Sequence, residues 1–280
     1  MTRILILEGD DPHQLAISAR QGQTSNATYY LQALQSTSLA FQSISSSLTS
    51  NSLDLQIDTA QPYHHDFNLH QLDLAPYDGV VFTGSTVNWS VDDPEAKPLR
   101  DTMEKVFAQG IPTLGSCNGM QLAAVVLGGQ VADSPNGREL GMARNIRLTK
   151  EGQQHPLHQG REDGYACCCI HRDEVSQLPT GAILTATNDH SPVQAFVYEQ
   201  GAIQFWGMQY HPEMKPGQIS ALIAGDGLFT GEAQLAEDLA AIQQDSNSDA
   251  VQRLGIRVSD LAPEMMMREL YNWLRMIRQR

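Results

Sequence analysis

Short apolar runs, set apart by longer polar and mixed stretches, organise this chain. Residues 4–7, 53–57, 79–82 and 113–115 are too short for buried helices and read as strands. They alternate with helical or loop segments, the order that parallel βαβ units require. Residues 25–50 are rich in Gln, Ser and Ala, with Tyr30, Leu31, Leu34, Leu39 and Phe41 as their apolar set. That stretch reads as one helix or a broken pair, capped by Ser25 or Asn26. Asp93-Pro94-Glu95 opens a further helix that runs to Gln109, before Gly110.

Between residues 141 and 206 the pattern turns β-rich. Strands are expected at 141–148, 166–170, 182–186, 195–198 and 203–206, with turns such as Pro135-Asn136-Gly137. Beyond Glu213 the apolar spacing becomes helical at 218–223, 232–244 and 263–278, interrupted by Gly227 and the polar run 245–249. The last of these places Met266, Leu270, Trp273, Leu274 and Ile277 along one broad face. Such a face suits packing onto the parent sheet; docking a partner is the alternative. The pattern predicts an α/β fold with a mostly parallel central sheet flanked by helices and a β-rich extension. We expect a single domain over 1–280, with a helical C-terminal extension at about 216–280.

One turn in this pattern carries chemistry. Residues 111–114 read as a short buried strand, and 120–127 as a buried helix ending at Gly128-Gly129. Between them stands Gly115-Ser116-Cys117-Asn118-Gly119-Met120-Gln121. A thiol at a strand-to-helix turn, with glycine two residues before and after it, has the form of a nucleophile elbow. Side chains at the flanking positions would clash, and the helix N-terminus favours a thiolate. Taken alone, the same turn also fits a Gly-rich connection around a buried cysteine.

A second segment bears on that choice. His211-Pro212-Glu213 closes the strand-like run 202–206 and its continuation Gly207-Met208-Gln209-Tyr210. Cysteine hydrolases need a base to take the thiol proton and a third group to hold that base in one tautomer. His211 and Glu213 supply both residue types.

Together these residues resemble the class I (triad-type) glutamine amidotransferases. Their Gly-x-Cys-x-Gly-x-Gln motif is matched at Gly115, Cys117, Gly119 and Gln121, and their His-Pro-Glu motif at His211 to Glu213. The run 80–85 resembles the strand and glycine loop that completes the family's oxyanion hole. Glu139-Leu140-Gly141 resembles its Glu-x-Gly segment. His171-Arg172-Asp173-Glu174-Val175 resembles the His-x-Asp-x-Val stretch of the branch similar to the GMP synthetase amidotransferase domain. The likeness covers about residues 75–215 and implies the flavodoxin-like fold of that family.

The resemblance implies that Cys117 attacks a glutamine side-chain amide, with His211 as base and then acid and Glu213 orienting it. Gly84, Ser85 and Asn118 would surround the oxyanion; Gln121, Ile170 and His171 would border the substrate. It implies glutamine or another γ-glutamyl small molecule as substrate, and neither cofactor nor metal. Asn118 and Met120 depart from the residues commonest at their places in the family. No synthase segment is recognisable in the 280 residues, so an ammonia acceptor would be a separate protein. Two alternatives accompany this reading: a γ-glutamyl amide or peptide hydrolase with the same residues, and a catalytically silent regulatory protein that keeps the fold.

Composition narrows the partners. A formal net charge of −14 argues against nucleic acid or an anionic membrane surface. No run approaches about 18 apolar residues, and the N-terminal one is too short for a signal peptide, so cytoplasm is the expected compartment. Besides Cys117 the only cysteines are 167–169, which have neither disulfide nor familiar metal spacing. In a strand, Cys167 and Cys169 share one face and Cys168 takes the other. They read as core, with a redox role as the alternative. His64, His65, His155 and His158 read as solvated loop residues without a ligand set. Oligomeric state is not encoded in any pattern we recognise.

Overall fold

The computed structural model describes residues 1–44, 54–225 and 231–280, with backbone alone over 39–44. Eleven strands are found among the described residues. They are β1 (Thr2–Leu7), β2 (Leu55–Ala60), β3 (Gly79–Phe82), β4 (Thr113–Ser116), β5 (Gln130–Asp133) and β6 (Glu139–Leu148). They continue as β7 (Tyr165–His171), β8 (Asp173–Gln177), β9 (Ile183–Thr187), β10 (Ala195–Gln200) and β11 (Ile203–Met208). Nine form one sheet in the order β2-β1-β3-β4-β11-β10-β9-β6-β7; β5 and β8 pair separately. The pairings from β2 through β11 are parallel, and those from β11 to β7 antiparallel. The β-rich extension is therefore a continuation of the central sheet.

Ten α-helices surround the strands among the described residues. They are α1 (Pro12–Arg20), α2 (Asn26–Ile44), α3 (Lys97–Ala108), α4 (Asn118–Val126) and α5 (Lys150–Gln154), followed by α6 (Pro216–Gly225), α7 (Ala233–Gln244), α8 (Ala250–Leu254), α9 (Pro263–Met266) and α10 (Arg268–Arg278). Because side chains alternate along a strand, the parallel strands feed two cores. Ile4, Ile6, Val81 and Trp206 pack with Tyr30 and Leu34 of α2 and with Leu270 and Trp273 of α10. Leu5, Leu7, Val80 and Phe205 pack with Met103 of α3 and Met120 of α4. A third cluster joins Cys168 to α6, α7 and α8.

Helix α10 returns to the parent sheet, as the broad apolar face predicted. A Cβ on Gly79 of β3 would fall 2.6 Å from Ile277 Cδ1 and 2.8 Å from Trp273, so glycine there admits the helix. Fully burying side chains such as Leu270 and Leu274 contributes about 1.5–3 kcal/mol each. A buried ion pair fixes the same helix. Arg161 donates to both Glu269 oxygens, at 2.8 and 2.7 Å, and the Tyr210 hydroxyl donates to Glu269 at 3.0 Å. Burial would raise the Glu269 carboxyl, but Arg161 and His158 outweigh it and hold it at about 2.

The structure departs from the expected pattern in several places. His158 is fully buried beside Glu269 and Thr185, and His155 is largely buried against Trp206, so neither is a solvated loop residue. The last helix is interrupted at Met267, which takes a non-helical conformation between α9 and α10. Strand β2 begins at Leu55; Leu53 and Gly227 lie outside the described residues, as do the side chains of Leu39 and Phe41. β5 and β8 escaped sequence reading because they are short and largely polar, with Val131 and Val175 as their only long apolar side chains. α1 is capped by Asp11, whose side chain accepts from Gln14 N–H, with Pro12 at its first position. Its apolar content is too low to signal a helix by periodicity.

Glu269→Gln leaves the Arg161 charge buried without its counter-ion. The expected cost is about 3–5 kcal/mol, read from the denaturant midpoint; a loss below about 1 kcal/mol would contradict this role for the pair.

Candidate active site

The parallel strands end together at one edge of the sheet, and the predicted residues collect there. β4 stops at Ser116, α4 starts at Asn118, and Cys117 bridges them at φ 48°, ψ −109°. A positive φ in a side-chain-bearing residue costs on the order of 1–3 kcal/mol and persists only where surroundings over-determine it. Here they do. A Cβ on Gly115 would lie 2.7 Å from the Gly119 carbonyl carbon, and one on Gly119 would lie 2.3 Å from the Phe82 oxygen. The Cys117 N–H donates to Met208 O at 2.8 Å, tying the turn to β11.

The Cys117 thiol, at the N-terminus of α4, donates to Ile170 O at 3.7 Å. His211 follows β11, with its N–H held by Cys168 O at 2.7 Å. Its Nδ1 lies 2.7 Å from Glu213 Oε1, which also accepts from Ser116 Oγ at 3.1 Å. Nδ1–H therefore faces the carboxylate, leaving Nε2 as the proton-accepting nitrogen. A Cβ on Gly84 would meet His211 Cε1 at 2.7 Å and Cys117 Cβ at 3.7 Å, so imidazole and thiol flank the same glycine. Burial pulls the His211 imidazole down. The charge of Glu213, its hydrogen bond to the imidazole and the neighbouring Cys117 outweigh that and raise it to about 10.

Two carboxylates that the sequence reading passed over hold the Gly84 loop. Asp10 Oδ1 accepts from Thr86 N–H at 2.6 Å and from the hydroxyls of Ser85 and Thr86 at 2.9 and 3.1 Å. Its other oxygen accepts from Asn26 at 2.8 Å. Glu8 accepts from the N–H groups of Ala27 and Asp10 at 2.9 and 3.1 Å. Burial raises both carboxyls above their ordinary range. Their signal was an acidic pair at the end of the first parallel strand, beside the strands carrying Gly84 and Cys117.

A cavity of about 390 Å³ opens over this edge. Cys117, Asn118, Ser85 and His211 line it, as do Gln121, Ile170 and His171. Gly84 and Glu213 stand behind them and are not among its lining residues.

A family model for class I glutamine amidotransferases matches residues 40–229. The chain belongs to the class I glutamine amidotransferase family. A γ-glutamyl-L-1-hydroxyisopropylamide hydrolase from a Pseudomonas species is 33% identical over 195 residues, which cover 69% of this chain and 66% of that protein. A glutamine-hydrolysing GMP synthase from a Nitratiruptor species is 36% identical over 140 residues, 50% of this chain but 26% of that enzyme. The chain thus spans just under two thirds of the first relative's length and about a quarter of the second's. The crystal structure of a glutamine amidotransferase from Thermotoga maritima shares the fold, with a TM-score of 0.59 at 17% identity over 100% of this chain and 99% of that one.

Within this amidotransferase-family fold, several family-like residues are committed to the protein itself. Gln121 Nε2 donates to Asp173 O at 2.7 Å and to Gln209 Oε1 at 3.1 Å. His171 is engaged at both ring nitrogens, by Glu139 at 2.8 Å and by Asp173 O at 3.1 Å. Glu139 also accepts from Asn188 and Gln194; burial would raise its carboxyl, but His171 and these amides lower it overall. Cys167, Cys168 and Cys169 are buried on alternate faces of β7, and burial pushes all three thiols up. His64, His65 and Asp66 bring ligand atoms within 4.8 Å of one another at the surface, a carboxylate the sequence reading had not paired with them. None of the three lines the cavity.

Two measurements check this geometry. Gly119→Ala should cost about 1–3 kcal/mol in the denaturant midpoint, because the new methyl meets backbone; an unchanged midpoint would contradict the close approach. His211 keeps its proton to about pH 10, whereas an unfolded histidine loses it near pH 6.5. Its stabilisation is therefore complete below about pH 6.5 and is lost as pH rises toward 10. Glu213→Gln removes the largest raising influence and should flatten the fall in stability between pH 7 and 10, an equal slope in both proteins being the adverse result.

Proposed function

We propose that this protein hydrolyses the γ-amide bond of a γ-glutamyl substrate through a thioester on Cys117. The observation that carries the reading is the Cys117 thiol and the His211–Glu213 pair flanking one glycine beneath a 390 Å³ cavity.

The Cys117 thiol passes its proton to His211 Nε2, giving the thiolate–imidazolium pair that the raised imidazole favours, and Sγ then bonds to the γ-carbonyl carbon. The carbonyl oxygen becomes an oxyanion beside the Asn118 N–H, which as the first residue of α4 has no preceding turn to bond to. The Gly84–Ser85 loop, held by Asp10, would supply the second donor. Each such donor is worth about 2.7–4 kcal/mol in the transition state. As the C–N bond breaks, His211 passes its proton to the departing nitrogen. Water, deprotonated by the same imidazole, then cleaves the thioester to glutamate and restores the thiol. Glu213 keeps Nδ1 protonated and stabilises the imidazolium throughout. No step calls for a metal or cofactor.

At the charged end of the cavity, Arg138, Arg172 and Asp173 would meet the α-carboxylate and α-ammonium of the glutamyl group. Release of a free amine to water is the form that the extent of likeness to the Pseudomonas hydrolase favours. Glutamine as substrate, with its ammonia passed to a separate synthase, is the second reading. It rests on the likeness to GMP synthase, confined to about a quarter of that enzyme. A reducing compartment such as the cytoplasm suits a chain whose four cysteines are all free. Among the described residues no helix is long and apolar enough to cross a membrane.

Cys117→Ala should abolish glutamate release from γ-glutamyl amides, and His211→Ala should lower kcat by about 10²–10⁴. Rapid quenching followed by mass spectrometry should find the glutamyl group on Cys117 in the wild type. Turnover surviving in Cys117→Ala would defeat the proposal.

A further inference from the structure

The cavity over Cys117 sorts its lining by charge. Apart from the catalytic imidazole of His211, its ionic side chains, Arg138, Arg172 and Asp173, come from the segment around β6, β7 and β8. The lining residues from 14–26 and 85–89 carry no ionic group. Neither do Met214 and Leu222, which continue the wall past His211. Met214 N–H bonds to His211 O at 3.2 Å, so this apolar side chain sits one tight turn from the imidazole.

The direction of the reaction orients these two ends. An amino-acid head group carries two charges and needs the ionic end. His211 must reach the departing nitrogen, so whatever that nitrogen bears extends beyond His211, toward Met214, Leu222 and Ile17 of α1. Glutamine delivers only ammonia and would leave this end unfilled.

Resting on the γ-glutamyl cleavage reading, we infer that α1, residues 85–89 and α6 form a subsite for the leaving amine. It takes an uncharged alkyl or hydroxyalkyl amine. A carboxylate on the leaving group, as in a γ-glutamyl amino acid, would be desolvated with no cation among the described residues of this wall. A distal ammonium, as in a diamine, would be desolvated with no anion among them. Aliphatic carbons gain from Ile17, Val87, Met214 and Leu222, and a hydroxyl meets the uncharged polar side chains of the same lining, Gln14, Ser18 and Gln21. The balanced reaction is γ-glutamyl amide plus water giving glutamate plus the free amine.

The test compares kcat/KM for glutamate release by the full chain. Its probes are glutamine, the γ-glutamyl amides of propylamine and of 1-amino-2-propanol, γ-glutamyl-β-alanine, and the mono-γ-glutamyl amide of diaminoethane. Burying a methylene raises kcat/KM about fourfold, so the two neutral amides should exceed glutamine by at least about tenfold. The carboxylate and ammonium probes should fall below the neutral pair by about tenfold or more. In Ile17→Lys the ratio of the β-alanine to the propyl substrate should rise by about tenfold. Glutamine matching the neutral amides, or the β-alanine substrate outrunning propyl, would overturn the subsite while leaving γ-glutamyl cleavage standing. No glutamate from any probe would overturn both.

Discussion

Everything at this site depends on one strained residue. Cys117 can hold φ 48° because α4 approaches β4 at Gly115 and β3 at Gly119 too closely for any side chain, and because its N–H is bound by β11. The strain is local, about the size of one good hydrogen bond or two, and is opposed by packing on both sides. What it secures is placement: the thiol stands at a helix N-terminus and in contact range of the glycine that also borders His211. Relaxing the turn would move sulfur, the Asn118 N–H and the glycine loop together.

The imidazole is held by a separate set of contacts. Tyr210, the residue before His211, donates to Glu269, and Glu269 is clamped by Arg161. The ion pair thus couples the far C-terminal helix to the strand end that carries His211. In the same way, Asp10 ties the end of β1 to residues 85 and 86. Buried carboxylates therefore recur behind the site, each answered by hydrogen-bond donors: N–H and O–H groups at Glu8 and Asp10, His211 at Glu213, and Arg161 at Glu269.

How much was legible in the residues follows from sequence separation. The elbow spans seven positions and His211 to Glu213 spans three, so short-range spacing carries their relation. Strands β1, β3 and β4 were visible as apolar runs because both of their faces are buried. By contrast, Asp10 meets Ser85 and Thr86 across 75 and 76 positions, and Arg161 meets Glu269 across 108. No local pattern reports such pairs. His158 misled for the same reason: a histidine in a polar stretch looks solvated until α10 closes over it. β5 and β8 are each too polar to announce themselves and exist by pairing with one another.

The chain's sequence by itself determined the fold class, the family and the order of its motifs, because hydrophobic periodicity and glycine spacing act over a few residues. Tertiary structure alone decided that the β-rich extension continues the central sheet, that α10 returns to cover it, and that α1 borders the cavity. It also decided which polar groups are satisfied within the protein, as His171 and Gln121 are. The physical reason is that burial and hydrogen-bond partnership belong to pairs of distant segments. They acquire values only when strand order brings those segments together.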